Sequence, residues 1–191
     1  MHAPDRHELV LAPHALGAQQ AAVEGVRERS ARHPGTLLGA WTSEYGTLNR
    51  VVSLWSAPAA GAQTPDYDDW LVGEMVRKPL DVRRPFDARA VAAPLFELRQ
   101  YAMQPGAVEP FIAALLTALP YRERYSPCGG LWTTRERGRD VAVHLWPYTS
   151  FAARQEARER AQRDPRWNEY RAAIRPLVAA MHASLLVPLS L

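Results

Sequence analysis

Glu97, Arg99 and Tyr101 stand two residues apart in Phe96-Glu97-Leu98-Arg99-Gln100-Tyr101-Ala102, where they alternate with mostly apolar neighbours. A period of two marks a strand, and on a strand these three side chains leave one face. A carboxylate, a guanidinium and a phenol side by side could orient a carboxylate, phenolate or carbonyl substrate. They could equally neutralise one another where charge is buried. His144, in Val141-Ala142-Val143-His144-Leu145-Trp146, shares a face with Ala142 and Trp146. An imidazole there could serve as acid or base near neutral pH, or ligate haem iron axially. With no second ligand or acid at motif spacing, it also reads as a hydrogen-bonded core histidine. His182 is a weaker candidate of the same kind. Cys128 sits between Ser126-Pro127 and Gly129-Gly130 with no base nearby in sequence, so it reads as structural.

Composition narrows the classes. The chain has 191 residues, 47% hydrophobic and 23% charged, as expected of a globular protein with a real core. One cysteine excludes an intrachain disulfide and a cysteine-rich metal site. The net charge is only +3, Lys78 is the sole lysine, and most arginines stand beside acids, as in Arg154-Gln155-Glu156-Ala157-Arg158-Glu159-Arg160. Such mixing predicts a solvated helix face and no partner nucleic acid. No secretory leader and no apolar run of spanning length is seen, so no membrane partner and a cytoplasmic location are expected. P-loop, dinucleotide, GxSxG and HExxH signatures are absent, and no His/Asp/Glu cluster has metal-ligand spacing.

The elements that must position these residues occur twice. Gly39-Ala40-Trp41-Thr42-Ser43 through Val52-Ser53-Leu54-Trp55 returns as Gly130-Leu131-Trp132-Thr133-Thr134 through Val143-His144-Leu145-Trp146. Both tryptophan pairs are separated by 91 residues (132 − 41 and 146 − 55). Upstream, Glu8-Leu9 and Gly17 precede Glu97-Leu98 and Gly106 by 89; downstream, Trp70 and Pro79-Leu80 precede Trp167 and Pro176-Leu177 by 97. A constant offset over such residues predicts two copies of one module, 1–92 and 93–191, the first with an abbreviated second helix.

In the second copy the apolar positions Val108, Phe111, Ile112, Leu115, Leu116 and Leu119 draw one stripe down a helix that Pro120 should end. Leu131–Arg135 and Val141–Trp146 predict a hairpin with glycine in its turn. Thr149 or Ser150 can cap a following helix, and Asp164-Pro165 can restart it, with Trp167, Tyr170, Ile174 and Leu177 as its buried stripe. Met181–Val187 predicts a last strand.

The order strand, helix, strand, strand, helix, strand predicts an α+β fold of tandem ferredoxin-like modules. Helices should cover one sheet face, and Trp41, Trp55, Trp132 and Trp146 should lie on the other. Two such faces would close on each other around a small interior. Leu98 is expected to turn towards the helices, so Glu97, Arg99 and Tyr101 would point into that interior. The recurrence of the tryptophans by symmetry argues for packing more than for ligand contact.

Phe96-Glu97-Leu98-Arg99-Gln100-Tyr101 with Pro105-Gly106, Leu131-Trp132-Thr133-Thr134, the run Val143-His144-Leu145-Trp146-Pro147-Tyr148-Thr149-Ser150-Phe151-Ala152-Ala153-Arg154, and Asp164-Pro165-Arg166-Trp167 together resemble a NIPSNAP domain. The resemblance covers nearly all of the second copy; the first carries Ser53 in place of His144. It implies the dimeric α/β-barrel superfamily, whose members include small-molecule monooxygenases, isomerases, cyclases and haem proteins. The expected function is binding of a small, largely apolar molecule in a barrel cavity, with cofactor-independent oxygenase or isomerase activity. His144, Arg99 and Tyr101 would be catalytic; Glu97, Trp132, Trp146, Trp41 and Trp55 would bind the ligand. No cofactor is expected on this reading. The alternatives are haem held by His144 and a non-enzymatic interaction scaffold. Edge strands and the apolar tail Leu185–Leu191 lead us to expect a homo-oligomer.

Overall fold

The computed structural model describes residues 6–33, 35–56 and 71–191. Among them, in chain order, are β1 (Arg6–Pro13), α1 (Gln19–Arg32), β2 (Leu37–Tyr45), β3 (Arg50–Ser56), β4 (Val76–Arg84), β5 (Leu95–Met103), α2 (Val108–Arg122), β6 (Gly130–Glu136), β7 (Arg139–Tyr148), α3 (Phe151–Gln162), α4 (Pro165–Ile174) and β8 (Val178–Pro188). The fold is therefore α+β, and every strand pairing whose register is described is antiparallel. Two compact units emerge, Met1–Val82 with Leu185–Leu191, and Arg83–Ser184. Trp70, expected on a helix of the first copy, lies outside the described residues.

In the first unit the strands lie in the order β4-β1-β3-β2, and Leu185–Pro188 of β8 runs antiparallel beside β2. Helix α1 packs through Ala22, Gly25, Val26 and Arg29, the i, i+3, i+4, i+7 stripe of an amphipathic helix, with Val23 buried beside it. Ala22 and Val26 meet Ala12, Ala40 and Val51 in a small apolar cluster. In the second unit the order is β8-β5-β7-β6, with Val178–Ser184 supplying β8. There α2 and α4 bring Phe111, Ile112, Leu115, Leu119, Trp167, Tyr170 and Ile174 against Tyr101, Met103, Leu131 and Trp146 of the sheet.

Local signals read from the sequence act where expected. The Ser150 hydroxyl accepts from the Ala153 N–H at 3.0 Å and starts α3, and the Asp164 carboxylate accepts from the Arg166 and Trp167 N–H groups ahead of Pro165. The β6–β7 hairpin closes through Arg137-Gly138, both at positive φ (49° and 77°), as the right-handed twist of the strands demands. The Gly-x-Trp repeat has a steric cause. A Cβ on Gly39 or Gly130 would fall against the indole of Trp41 or Trp132, which folds back over the same face two residues earlier.

Three expectations change. Pro120 lies inside α2, which continues to Arg122, because a proline near a helix end removes only its own donor. Pro79-Leu80 sits in the middle of β4, whereas Pro176-Leu177 belongs to a 3₁₀ turn ahead of β8, so those two pairs do not occupy equivalent places. The third concerns the sheet faces. Arg99 pairs across β5–β7 with His144, Glu97 with Trp146 and Tyr101 with Ala142, and this face meets the helices. Arg99, Tyr101 and His144 therefore do not point into a barrel interior. Trp132 pairs with Val143 and so shares the opposite face with Leu98 and Leu145. By the same alternation Trp41, opposite Val52, and Trp55 lie on different faces of their sheet. The tryptophans do not form one aromatic face.

Candidate functional site

A pocket of about 460 Å³ opens between the sheet and α2, α3 and α4 of the second unit. Its buried wall includes Tyr101, Leu115, Arg122, His144, Trp146, Trp167, Tyr170 and Ile174, and its mouth the exposed Gln162, Arg171, Arg175 and Met181. Volumes of about 300–1,000 Å³ with apolar walls and a few polar groups are those of small-molecule sites.

Glu97 is fully buried and paired with two of the lining arginines, Arg99 and Arg158. It accepts from Arg99 at 3.0 Å, Arg154 at 2.6 Å and Arg158 at 3.2 Å. Burial alone would raise its pKa; the guanidinium groups of Arg99 and Arg154 outweigh that and hold it at about 2. Arg99 also donates to the Tyr101 hydroxyl at 3.1 Å, and burial opposes its charge while Tyr101 and Glu97 stabilise it, with a net upward shift. The predicted trio is thus real but is extended by Arg154 and Arg158, which the mixed charge of their helix had assigned to a solvated face. Their i, i+4 spacing aims both at one carboxylate.

His144 has one defined partner. The Trp146 indole N–H donates to its Nδ1 at 2.5 Å, and its ring meets Tyr101 edge-on at 4.8 Å between centroids. Its Nε2 is buried and without a hydrogen-bond partner. Burial, reinforced by Arg99 and Arg122, lowers its pKa to about 3. The ring is therefore neutral at physiological pH, and because Nδ1 accepts, Nε2 carries the proton. That leaves an N–H donor in the pocket wall.

Arg122 is the residue that the sequence reading passed over. It continues the α2 stripe three residues beyond Leu119 and is 3% exposed. It donates to Ser126 Oγ at 2.8 Å and the Tyr148 hydroxyl at 3.2 Å, and its guanidinium lies 4.8 Å over Trp146 and 5.8 Å over Trp167. A charged residue at a stripe position was the available signal.

Other candidates take structural places. Trp146 lines the pocket; Trp132 and Trp41 are buried on the other faces of their sheets, and Trp55 packs in the first unit. Cys128 is buried with its thiol pushed up to about 11 by burial, so no thiolate is available. His182 is exposed on β8. Among the described residues no group of three or more His, Cys, Asp or Glu could hold a metal ion, and no helix is long and apolar enough to cross a membrane.

The first unit keeps the frame and lacks the chemistry. Ser53 stands at the place of His144, and its hydroxyl accepts from the Trp55 indole at 2.8 Å as Nδ1 does from Trp146. His33, at the Arg122 offset of 89, stacks on Trp55 at 4.2 Å. Glu8 matches Glu97 and lies 3.4 Å from Arg29, 3.5 Å from His33 and 3.6 Å from Arg77. At the places of Arg99 and Tyr101 stand Val10 and Ala12.

Comparisons with known proteins agree with this architecture. The NIPSNAP family model matches residues 10–64 and 96–191. A NipSnap homologue of Dictyostelium discoideum is 24% identical over 170 residues, 81% of this chain and 75% of the relative. Drosophila melanogaster NipSnap is 26% identical over 193 residues, 91% and 70% of the two chains. Two solved structures share the fold: an anthrone oxidase-like protein, at TM-score 0.70 and 8% identity over 98% of this chain and 92% of that one, and a candidate monooxygenase of Lactobacillus acidophilus, at 0.65 and 12% over 97% and 94%.

Proposed function

The chain belongs to the NIPSNAP family, of the dimeric α/β-barrel superfamily, and we propose that its second unit binds a small, largely apolar molecule in the pocket between sheet and helices. The observation that carries this reading is the buried Nε2–H of His144, left without a partner in the wall of a void of about 460 Å³. A buried donor without an acceptor costs about 1–3 kcal/mol, a cost that a ligand oxygen removes. A void of this size also favours a ligand over a purely structural scaffold. The strand order of each unit, fourth-first-third-second, is that of a ferredoxin-like module, and we take the chain as two such copies.

The chemistry we assign is cofactor-independent oxygenation, with dioxygen as second substrate, or isomerisation. Both can start from a substrate that enters already ionised at neutral pH, its proton lost to water beforehand, and Arg99, Arg122 and the His144 donor would stabilise that anion. Tyr101 braces Arg99. His144 acts here as donor and orienter, since a ring already neutral with its remaining nitrogen occupied is a poor base. Haem iron fits this histidine badly: with Nδ1 accepting from Trp146, an iron on Nε2 would require an imidazolate.

Native mass spectrometry of freshly isolated protein tests the binding. A retained small molecule is expected, lost in Ala161→Phe, which fills the pocket from α3. If the protein carries no such mass, and the neutral fluorophore N-phenyl-1-naphthylamine and its sulfonated analogue both fail to bind it saturably, the reading fails. Oxygen uptake, or deuterium incorporation from heavy water, with the retained molecule as substrate separates the two chemistries.

A further inference from the structure

We infer that the ligand is an anion, a carboxylate or phenolate on an apolar body, whose charged oxygen is held jointly by Arg122 and the Nε2–H of His144. This rests on the pocket being a small-molecule site, and it names the class of molecule.

Charge in and around the pocket is one-sided. Arg99, Arg122, Arg158, Arg171 and Arg175 line it, and no Asp or Glu does. Glu97 is absent from the lining and is ion-paired with Arg99, Arg154 and Arg158, one negative charge against three positive ones. The direct contacts of buried Arg122 are neutral, two hydroxyls and two indole faces, and Glu97 acts on it only as a charge that Arg99 opposes. Buried guanidinium groups are ordinarily matched by a carboxylate or phosphate, because desolvated charge without a counter-charge is strongly unfavourable. Trp146 links the two groups: Arg122 lies over its ring, and His144 accepts its N–H. An oxyanion beside that indole would meet the guanidinium, a charge-assisted arrangement, and the joint hold that we infer adds the Nε2–H of the same histidine. Trp167 and Tyr170, with ring centroids 4.5 Å apart and planes tilted by 31°, supply an aromatic wall for the body of the molecule. The first unit, with His33 and Ser53 at the two positions, lacks the pair.

Two fluorophores of one shape test the assignment, the anionic 8-anilinonaphthalene-1-sulfonate and the neutral N-phenyl-1-naphthylamine. The anion is expected to bind the whole protein at least about tenfold more tightly at neutral pH. 1-Naphthoate should displace it and naphthalene-1-methanol should not. Displacement by 1-naphthol together with the absorbance of bound naphtholate would point to a phenolate ligand; displacement by naphthoate alone would point to a carboxylate. In Arg122→Gln the preference should fall by about tenfold while binding of the neutral probe stays within about twofold, which also reports that the pocket has folded. Should that variant not fold, Arg171→Ala with Arg175→Ala, at the exposed mouth, should lower the preference about threefold. Equal binding of the two probes, or a preference untouched by these substitutions, overturns the assignment while leaving the small-molecule site standing. Saturable binding of neither probe overturns both.

Discussion

Replacing His144 by serine copies into the second unit the solution that the first already uses, since Ser53 accepts the Trp55 indole N–H just as His144 accepts that of Trp146. The substitution keeps the internal hydrogen bond and removes one titrating group. In the folded protein His144 is held neutral down to about pH 3, against 6.5 for the free side chain, chiefly by burial and then by Arg99. A depressed folded pKa contributes stability that is intact above 6.5 and is lost as pH falls towards 3, because the unfolded chain takes up a proton that the folded one refuses. At about pH 5 the unfolded histidine is favoured by RT ln(1 + 10^1.5), about 2 kcal/mol, relative to alkaline solution. The assay is urea unfolding of wild type and His144→Ser at about pH 7.5 and about pH 5. Carboxylates titrate mostly below this window, and the other histidines are common to both proteins. Wild type should lose about 2 kcal/mol more than the variant over that step. If the difference between the two proteins changes by less than about 0.5 kcal/mol, His144 is not a buried neutral ring and the pocket donor is lost with it.

Glu97→Gln should destabilise the protein by about 3 kcal/mol at neutral pH, from a pKa drawn from 4.5 to about 2 at 1.36 kcal/mol per unit. Since this contribution is present above 4.5 and fades as pH falls towards 2, the gap between variant and wild type should close in acid, as followed by circular dichroism in urea; a gap independent of pH would remove Glu97 from the hub. Gly130→Ala should cost about 1–3 kcal/mol in the same unfolding assay by forcing the Trp132 indole off its seat, and Gly39→Ala should do likewise at Trp41. Nitrogen-15 spectra should show His144 protonated at Nε2 alone at neutral pH, and Trp146→Phe should abolish that single-tautomer signal.

What the sequence made legible was whatever depends on local spacing. The repeat, the caps at Ser150 and Asp164, the hairpin turn and the shared face of Glu97, Arg99 and Tyr101 follow from neighbours along the chain. The orientation of that face did not. Alternation separates the two sides of a strand without saying which side the helices cover, and here both are buried, with Leu98 4%, Val143 1% and Leu145 2% exposed on one side and His144 3% and Trp146 2% on the other. Reading the apolar side as the helix side is a sound default that a buried cluster of arginines overrides. Arg122, Arg154 and Arg158 were invisible as site residues for the same reason: only the fold shows that one helix stripe ends in a guanidinium and that another helix lays two of them over a single carboxylate.

The difference between the two copies is itself an argument about where function resides. Both retain the acid on the first strand, the tryptophan on the third and a cation or histidine against its ring, and in both the indole N–H is bonded to the side chain two residues before it. These shared features satisfy buried polar groups, and a module needs them in order to fold. In the first copy each remaining position holds a residue that asks nothing of a ligand: Val10 and Ala12 are apolar, and Ser53 makes the indole bond with its single oxygen. In the second the same positions hold Arg99, Tyr101 and His144, and an imidazole that accepts at Nδ1 necessarily presents a second nitrogen elsewhere. Serine would satisfy Trp146 at lower cost in buried polarity, so the histidine exceeds what the fold requires. The surplus is a buried N–H without a partner, on a residue that lines a cationic pocket, and it is the feature that folding alone does not explain.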